Sequence, residues 1–271
     1  MSICLKIFIV SFLMISPLKA KCTFRQNLKK VISLSGPMTV LLKEVGLLDH
    51  PALGGISVFN PVSKEQFKKK IYPGGIFLAN STLKEFKDSV VFFDESQQVK
   101  NVLKLGEGII SEEIKTRNVL PLEVMKKLGE ILRGYTVQCE KELQAYQQKG
   151  ELIQRNLLKK IPHGLEVVFY LGGFKGQRLP ETVIVHDGVV KLLILENKIK
   201  TYPSQLSYVN WSARMMSSFS SKLKHVAVID SGMKLTQAVK KVSQRVTLIY
   251  PGSLVPGLSQ LEAFSYLADH L

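Results

Sequence analysis

One stretch of this chain, residues 121–160, contains helical patterning and no strand candidate. Its apolar side chains recur at the three- and four-residue spacing of an amphipathic helix. Gly134 divides the stretch, so we predict two helices, the second over 136–160 and about 37 Å long at 1.5 Å per residue. Lys159 and Lys160 suit the C-terminal end of the helix dipole, and Pro162 ends the helix.

Short apolar runs alternate with helical segments on both sides of this stretch. Such alternation favours parallel sheets covered by helices. We therefore predict an α/β fold of two lobes, each with a central, mostly parallel sheet flanked by helices, joined by one long rigid α-helix. The predicted strands are 31–34, 55–59, 76–79, 89–94, 165–171, 225–229 and 246–250, and the helices between and after them include 38–45, 64–70 and 259–271.

The resulting division of the chain has four parts. Residues 1–20 form a signal peptide, 21–134 an N-terminal lobe, 135–161 the linking helix and 162–271 a C-terminal lobe. No internal repeat or long low-complexity segment suggests another organisation.

The N-terminal segment has the pattern of a secretory signal. Lys6 precedes an apolar run over 7–15, and Pro17 and the small residue Ala20 follow it, which predicts cleavage after Ala20. The run is too short to span a bilayer. A buried N-terminal strand or helix is the alternative. Export predicts a periplasmic, soluble protein.

The three cysteines agree with export. Cys4 lies in the signal, which leaves Cys22 and Cys139. A pair of cysteines in an oxidising compartment can form a disulfide. The sequence gives no distance between them, so a disulfide and two unrelated thiols both remain open.

Charge and motifs exclude several function classes. The net charge of +15, or +13 without residues 1–20, is spread along the chain, and the only short basic run is 68–70. A nucleic-acid site needs clustered charge, so we expect no nucleic-acid partner. There is no Gly-x-Ser-x-Gly motif, and the five histidines are isolated, so we expect no catalysis, no cofactor and no bound metal.

Four stretches resemble the periplasmic binding proteins of ABC importers whose lobes are joined by one helix. This is the class that serves vitamin B12, ferric siderophores and haem. The four stretches, in this order around the long helix, span about the whole mature chain. They are KKVISLSGPMTVLLKEVGLLD (29–49), SKEQFKKKIYPGGIFLA (63–79), YPSQLSYVNW (202–211) and PGSLVPGLSQLEAFSYLADHL (251–271).

The resemblance implies a ligand cleft between the lobes, at the carboxyl ends of the strands. The loop 251–257, whose glycines allow close approach of backbone to a ligand, would form one wall, although a turn selected only for chain reversal is the alternative. Carried over by position, the ligand contacts are Ser35, Phe59, Asn60, Asn80, Tyr170, Phe174, Tyr202, Trp211 and Ser253.

Some of these residues have a competing role. Phe59 and Tyr170 at strand ends could equally be core residues, and Trp211 is placed in a predicted helix, where core packing competes with ligand contact. Tyr202 is the strongest aromatic candidate, because it precedes Pro203 as an aromatic often does in the family. Aromatic side chains suit a large, partly planar ligand.

The resemblance also implies a protein partner. Members of the class dock on their permease through one exposed glutamate per lobe, and Glu65 falls at the first-lobe position. The second-lobe stretch, 208–210, carries no carboxylate, which puts two-point docking in doubt. We expect a monomer that delivers a corrinoid, ferric chelate or haem to an ABC importer permease at the inner membrane. The alternative is a sensing or protein-interaction module on the same fold.

Overall fold

The structure is a computed structural model. It describes residues 22–57, 70–72, 80–171, 181–184, 188–201, 208–211, 225–229, 246–249 and 255–269. These residues form two larger sheets, one small ribbon and the helices that cover them.

The first sheet has five parallel strands in the order β4-β3-β2-β5-β6. The chain adds β3 and β4 on one side of β2, then crosses to add β5 and β6 on the other side. The strand order therefore reverses between β2 and β5. The strands are β2 (Lys30–Ser33), β3 (Leu53–Ser57), β4 (Lys70–Tyr72), β5 (Ser89–Asp94) and β6 (Ile110–Ile114).

The side chains of β5 alternate between two apolar clusters, one on each face of this sheet. Val90 and Phe92 join one apolar cluster, whereas Val91 and Phe93 join the other, because successive strand residues point to opposite faces. The helices and turn that follow the strands are α1 (Gly36–Glu44), α2 (Asn80–Leu83), a 3-10 turn (Lys84–Phe86) and α3 (Gln97–Leu103).

Two predicted details of this region are wrong. Residue 70 was expected to end a helix but begins strand β4, and β6 was not predicted at all. The β6 sequence ISEEI is mostly polar and partly exposed. An edge strand of this kind lacks the apolar run that reveals a buried strand.

The helical stretch divides where Gly134 predicts. Helix α4 (Pro121–Arg133) ends before it, and α5 (Glu140–Lys160) follows. The second helix begins four residues later than predicted and is about 31 Å long. The reason is a short strand, β7 (Thr136–Val137), which pairs antiparallel with β1 (Thr23–Phe24).

A disulfide between Cys22 and Cys139 closes this ribbon. It joins the start of the described chain to the residue that precedes α5, across a sequence separation of 117 residues. Of the two alternatives that the sequence left open, the structure contains the disulfide.

The second sheet is mixed. The parallel pairs are β8 with β10, β8 with β12, and β12 with β13. Strand β9 pairs antiparallel with β8, and β11 pairs antiparallel with β9. The strands are β8 (Leu165–Leu171), β9 (Glu181–Ile184), β10 (Ile199–Thr201), β11 (Tyr208–Trp211), β12 (His225–Ile229) and β13 (Val246–Ile249); α6 (Gly188–Leu195) lies between β9 and β10.

The last helix, α7 (Leu258–Ala268), connects the two halves of the chain. It packs against β13 and α6, and also against α1, α4 and α5. Leu258, Leu261 and Phe264 are buried in the same apolar cluster as the first-sheet helices. In the part of the chain that the structure describes, no helix is long and apolar enough to cross a membrane.

The four-part division of the chain remains a prediction, and the signal segment lies outside the described residues.

Candidate functional site

A cavity of about 530 Å³ lies at the carboxyl ends of four strands of the first sheet. It is bordered by residues that follow β2 and β5, the two strands between which the order reverses. Open parallel sheets bind ligands at this kind of position, and the volume is within the range of ligand pockets. The lining residues are Leu34, Ser57, Phe93, Asp94, Glu95, Ser96, Gln97, Val99, Glu113 and Arg117.

Asp94, the last residue of β5, provides the most unusual group of this lining. Its Oδ2 oxygen accepts a hydrogen bond from the backbone N–H of Gly36 at 3.3 Å. Its Oδ1 oxygen is buried and has no hydrogen-bond donor among the described residues. Burial raises the pKa of Asp94 from 3.8 to about 6, although hydrogen bonds from Ser35 and Gly36 act in the opposite direction.

Ser35 links Asp94 to helix α1. The Ser35 backbone is extended, and its hydroxyl oxygen accepts a hydrogen bond from the N–H of Met38 at 3.2 Å, as an N-cap residue does. The Ser35 carbonyl accepts hydrogen bonds from the hydroxyls of Ser33 and Thr39. Ser35 has no exposed surface, so this structure gives it the role of a helix cap, and direct ligand contact stays a prediction.

Four charged side chains line the cavity, and three are carboxylates: Asp94, Glu95 and Glu113. The carboxylate of Glu113 is 2.7 Å from the ammonium group of Lys100. Arg117 is exposed, and its guanidinium has no ion pair within the described ranges. Among the described lining residues, the charges without an ion pair are therefore the carboxylates of Asp94 and Glu95 and the guanidinium of Arg117.

The rest of the lining is apolar or uncharged. Leu34, Phe93 and Val99 belong to the smaller apolar cluster of the first sheet, and Ser96 caps helix α3 by accepting from the N–H of Val99. Within the described ranges, no cluster of His, Cys, Asp or Glu could hold a metal ion. An apolar floor with a few fixed polar groups can bind and orient an organic molecule.

The other predicted site residues are only partly described. Asn80 begins α2 and Tyr170 lies near the end of β8, but the structure describes only their backbone. Phe59, Asn60, Phe174, Tyr202 and Ser253 lie outside the described residues, as does the docking residue Glu65. The structure therefore leaves these assignments as predictions.

The helical assignment of Trp211 is wrong. Trp211 ends strand β11, opposite Glu181 of β9 in an antiparallel pair. The segment YVNW has aromatic and β-branched residues at three of four positions, which fits a strand better than a helix.

Sequence reasoning missed Asp94, although a signal was present. The strand prediction 89–94 is identical to the observed β5, and the strand-end rule that selected Ser35 and Asn60 applies equally to its last residue. Glu113 and Arg117 could not be found in this way, because β6 was not predicted.

Comparisons with known proteins support the fold. No protein-family profile matches the sequence, and no curated protein matches it significantly. Solved structures do match. The periplasmic heme-binding protein RhuT from Roseiflexus sp. RS-1 has a TM-score of 0.67 and 13% identity, covering 90% of this chain and 97% of that one.

Two further solved structures are similar to the same degree. A periplasmic heme-binding protein from Pseudomonas aeruginosa has a TM-score of 0.67 and 15% identity, covering 88% of this chain and 92% of that one. The periplasmic heme-binding protein HutB of Vibrio cholerae has a TM-score of 0.67 and 19% identity, covering 90% and 98%. The chain thus has the two-lobed α/β fold of periplasmic solute-binding proteins, as its sequence motifs predicted.

Proposed function

We propose that this protein is an exported solute-binding protein that captures a bulky organic ligand and delivers it to an ABC importer. The observation that carries the proposal is the cavity at the carboxyl ends of β2, β3, β5 and β6, at the point where the strand order reverses. It lies where the general rule for open α/β sheets predicts a ligand.

The composition of the cavity supports binding rather than catalysis. Ser57, Ser96 and Gln97 are uncharged, and Glu113 is paired with Lys100. The described lining residues include no histidine and no cysteine, so the pairing of a serine or cysteine nucleophile with a histidine base is not present among them. The ligand classes are those implied by the motifs: a corrinoid, a ferric chelate or haem.

A direct binding experiment tests this proposal. The protein is purified without ligand and titrated by calorimetry with hemin, cyanocobalamin and ferrioxamine B. We expect one of the three to bind with micromolar or tighter affinity. Native mass spectrometry of the protein isolated from its own host would identify the natural ligand. If no probe binds and the native protein carries no small molecule, the solute-binding proposal is wrong.

The alternative is a sensing or protein-interaction module on the same fold. It is supported by the sequence 208–210, which has no carboxylate at the second docking position. Reconstitution with the permease and ATPase encoded nearest to it distinguishes the two functions. A binding protein for import stimulates ATP hydrolysis by its transporter, whereas a sensing module does not.

A further inference from the structure

The most informative group in the cavity is the carboxylate of Asp94. It lies at the amino end of helix α1, where the N–H groups of a helix ordinarily attract an external anion. Here Oδ2 of Asp94 already accepts from the N–H of Gly36. Because the protein's own carboxylate uses this donor, the first-lobe side of the cavity is poorly suited to a second anion.

The other oxygen of the same carboxylate is different. Oδ1 of Asp94 is buried, yet it forms no hydrogen bond with any described residue. Buried carboxylate oxygens in native proteins almost always have a partner, and an unsatisfied one is unfavourable for the folded state. A buried acceptor that lacks a donor and borders a cavity is a group that a donor on a bound ligand would satisfy.

We propose that Asp94 accepts a hydrogen bond from a donor group of the ligand, so that the site selects an amide-, hydroxyl- or ammonium-bearing chelate over a dicarboxylate such as haem. The inference rests on the proposed solute-binding function. Glu95 adds to the preference, since its carboxylate lines the same cavity, whereas the charge of Glu113 is balanced by Lys100. Arg117, the single cation of the described lining, is exposed and would face an acidic group only on the outer side of the ligand.

The variant Asp94→Asn tests the contact with little change of shape. Its amide oxygen can accept from Gly36, which leaves the NH₂ group in the place of Oδ1. An acceptor for the ligand then becomes a donor. A hydrogen bond that involves a charged group accounts for about a 10- to 100-fold difference in affinity, so the dissociation constant of a donor-bearing probe should rise by that factor.

Glu107→Gln is the matched control. Glu107 is an exposed carboxylate that pairs with Lys87 before the amino ends of β5 and β6, at the opposite edge of the sheet. Wild type and both variants are titrated with cyanocobalamin, ferrioxamine B and hemin, and each is unfolded in urea. We expect cyanocobalamin or ferrioxamine B to bind the wild type, Asp94→Asn to weaken that binding, and Glu107→Gln to leave it unchanged.

The outcomes separate the inference from the function on which it rests. Tight hemin binding that Asp94→Asn does not alter, with no binding of the other two probes, overturns the inference and supports the solute-binding function. Failure of all three probes to bind the wild type overturns the inference, and it overturns the solute-binding function as well when the native protein carries no small molecule. Reduced stability of Asp94→Asn with unchanged affinity assigns the partner of Oδ1 to the protein itself and also overturns the inference.

A second measurement tests the inference on the wild-type protein, without any substitution. Hydrolysis of single amides of cyanocobalamin to carboxylates, or replacement of the ammonium group of ferrioxamine B by a carboxylate, places a negative charge where the donor was. At least one such derivative should bind about 10-fold more weakly than its parent. Equal affinity across the series contradicts the inference.

Discussion

Cys22 and Cys139 are joined by a disulfide that fixes the first described strand to the residue before helix α5. Both residues are buried and belong to the main apolar cluster. The link also holds the ribbon of β1 and β7, which pairs only two residues on each strand. A ribbon this short has little stability of its own.

Removing the disulfide should destabilise the protein strongly. The bridge closes a loop of sequence separation 117, and removal of such a bridge typically costs about 2–5 kcal/mol. Urea unfolding of the Cys22→Ala, Cys139→Ala double variant measures the loss. Thiol titration of the denatured, unreduced protein should detect none in a chain that starts at residue 21 and only Cys4 in the full chain. Two further free thiols would contradict the link.

Lys149 should stabilise the contact between α5, α1 and α7. Its ammonium group is 2.9 Å from carboxylate oxygens of both Glu44 and Glu262. Partial burial acts to lower the pKa of Lys149, but hydrogen bonds to the two glutamates outweigh it and raise the pKa. Lys149→Met leaves the two carboxylates without this partner and should reduce the free energy of unfolding by about 1 kcal/mol.

The control for Lys149 is the exposed pair of Lys87 and Glu107. Lys87→Met should have no measurable effect, since exposed pairs are screened by solvent. Thermal melts of both variants at low and high salt give the comparison, and the Lys149 effect should decrease as salt screens the charges. Equal effects of the two substitutions would show that Lys149 has no special role.

Two glycines should respond in opposite directions to alanine. A Cβ at Gly55 in β3 would lie 2.7 Å from the carbonyl oxygen of Lys70 and 2.3 Å from the ring of Tyr72. Backbone cannot move aside easily, so Gly55→Ala should destabilise by about 1–3 kcal/mol. A Cβ at Gly129 in α4 would meet only Leu143, at 3.9 Å, so Gly129→Ala should stabilise by about 0.5–1 kcal/mol.

Urea unfolding of the two alanine variants measures both effects. A stable Gly55→Ala protein would mean that β3 and β4 are not paired as the structure has them. The Gly129 variant serves as its control, because it makes the same chemical change in a helix where the added Cβ meets Leu143 only at an ordinary van der Waals distance.

Asp94 should make stability depend on pH. Its pKa is raised in the folded protein from 3.8 to about 6, so the folded state favours the protonated form. The preference of the folded state for protonated Asp94 contributes its full free energy of stabilisation below pH 4, and this contribution is lost as the pH rises through 6. A shift of this size corresponds to about 3 kcal/mol.

Comparison with Asp94→Asn isolates this effect, because asparagine does not titrate. At pH 7.5 the variant should be more stable than wild type, by up to about 3 kcal/mol, and below pH 4 the difference should vanish. Urea unfolding at four pH values between 3 and 8 measures the difference. A variant that is less stable at every pH would contradict an unsatisfied carboxylate.

The sequence by itself determined the class of the fold. Strands 89–94, 165–171 and 225–229 were predicted with their observed bounds, because a short, mostly apolar run of β-branched and aromatic residues is the sequence signal of a strand in a helix-covered sheet. The ends of α1 near Gly46 and of α4 at Arg133 were predicted from the glycine that follows each helix. Gly46 has a φ of +78°, a conformation that glycine adopts without strain.

Only the tertiary structure decided which groups meet. No local pattern reveals that Oδ2 of Asp94 would reach Gly36, since the two lie 58 residues apart and meet because β2 and β5 are neighbours. The disulfide was undecided for the same reason, and short or partly polar strands such as β6 and β7 form through pairing rather than through their own composition. Strand order is set by long-range contacts, and it is strand order that places an acidic acceptor beside the cavity.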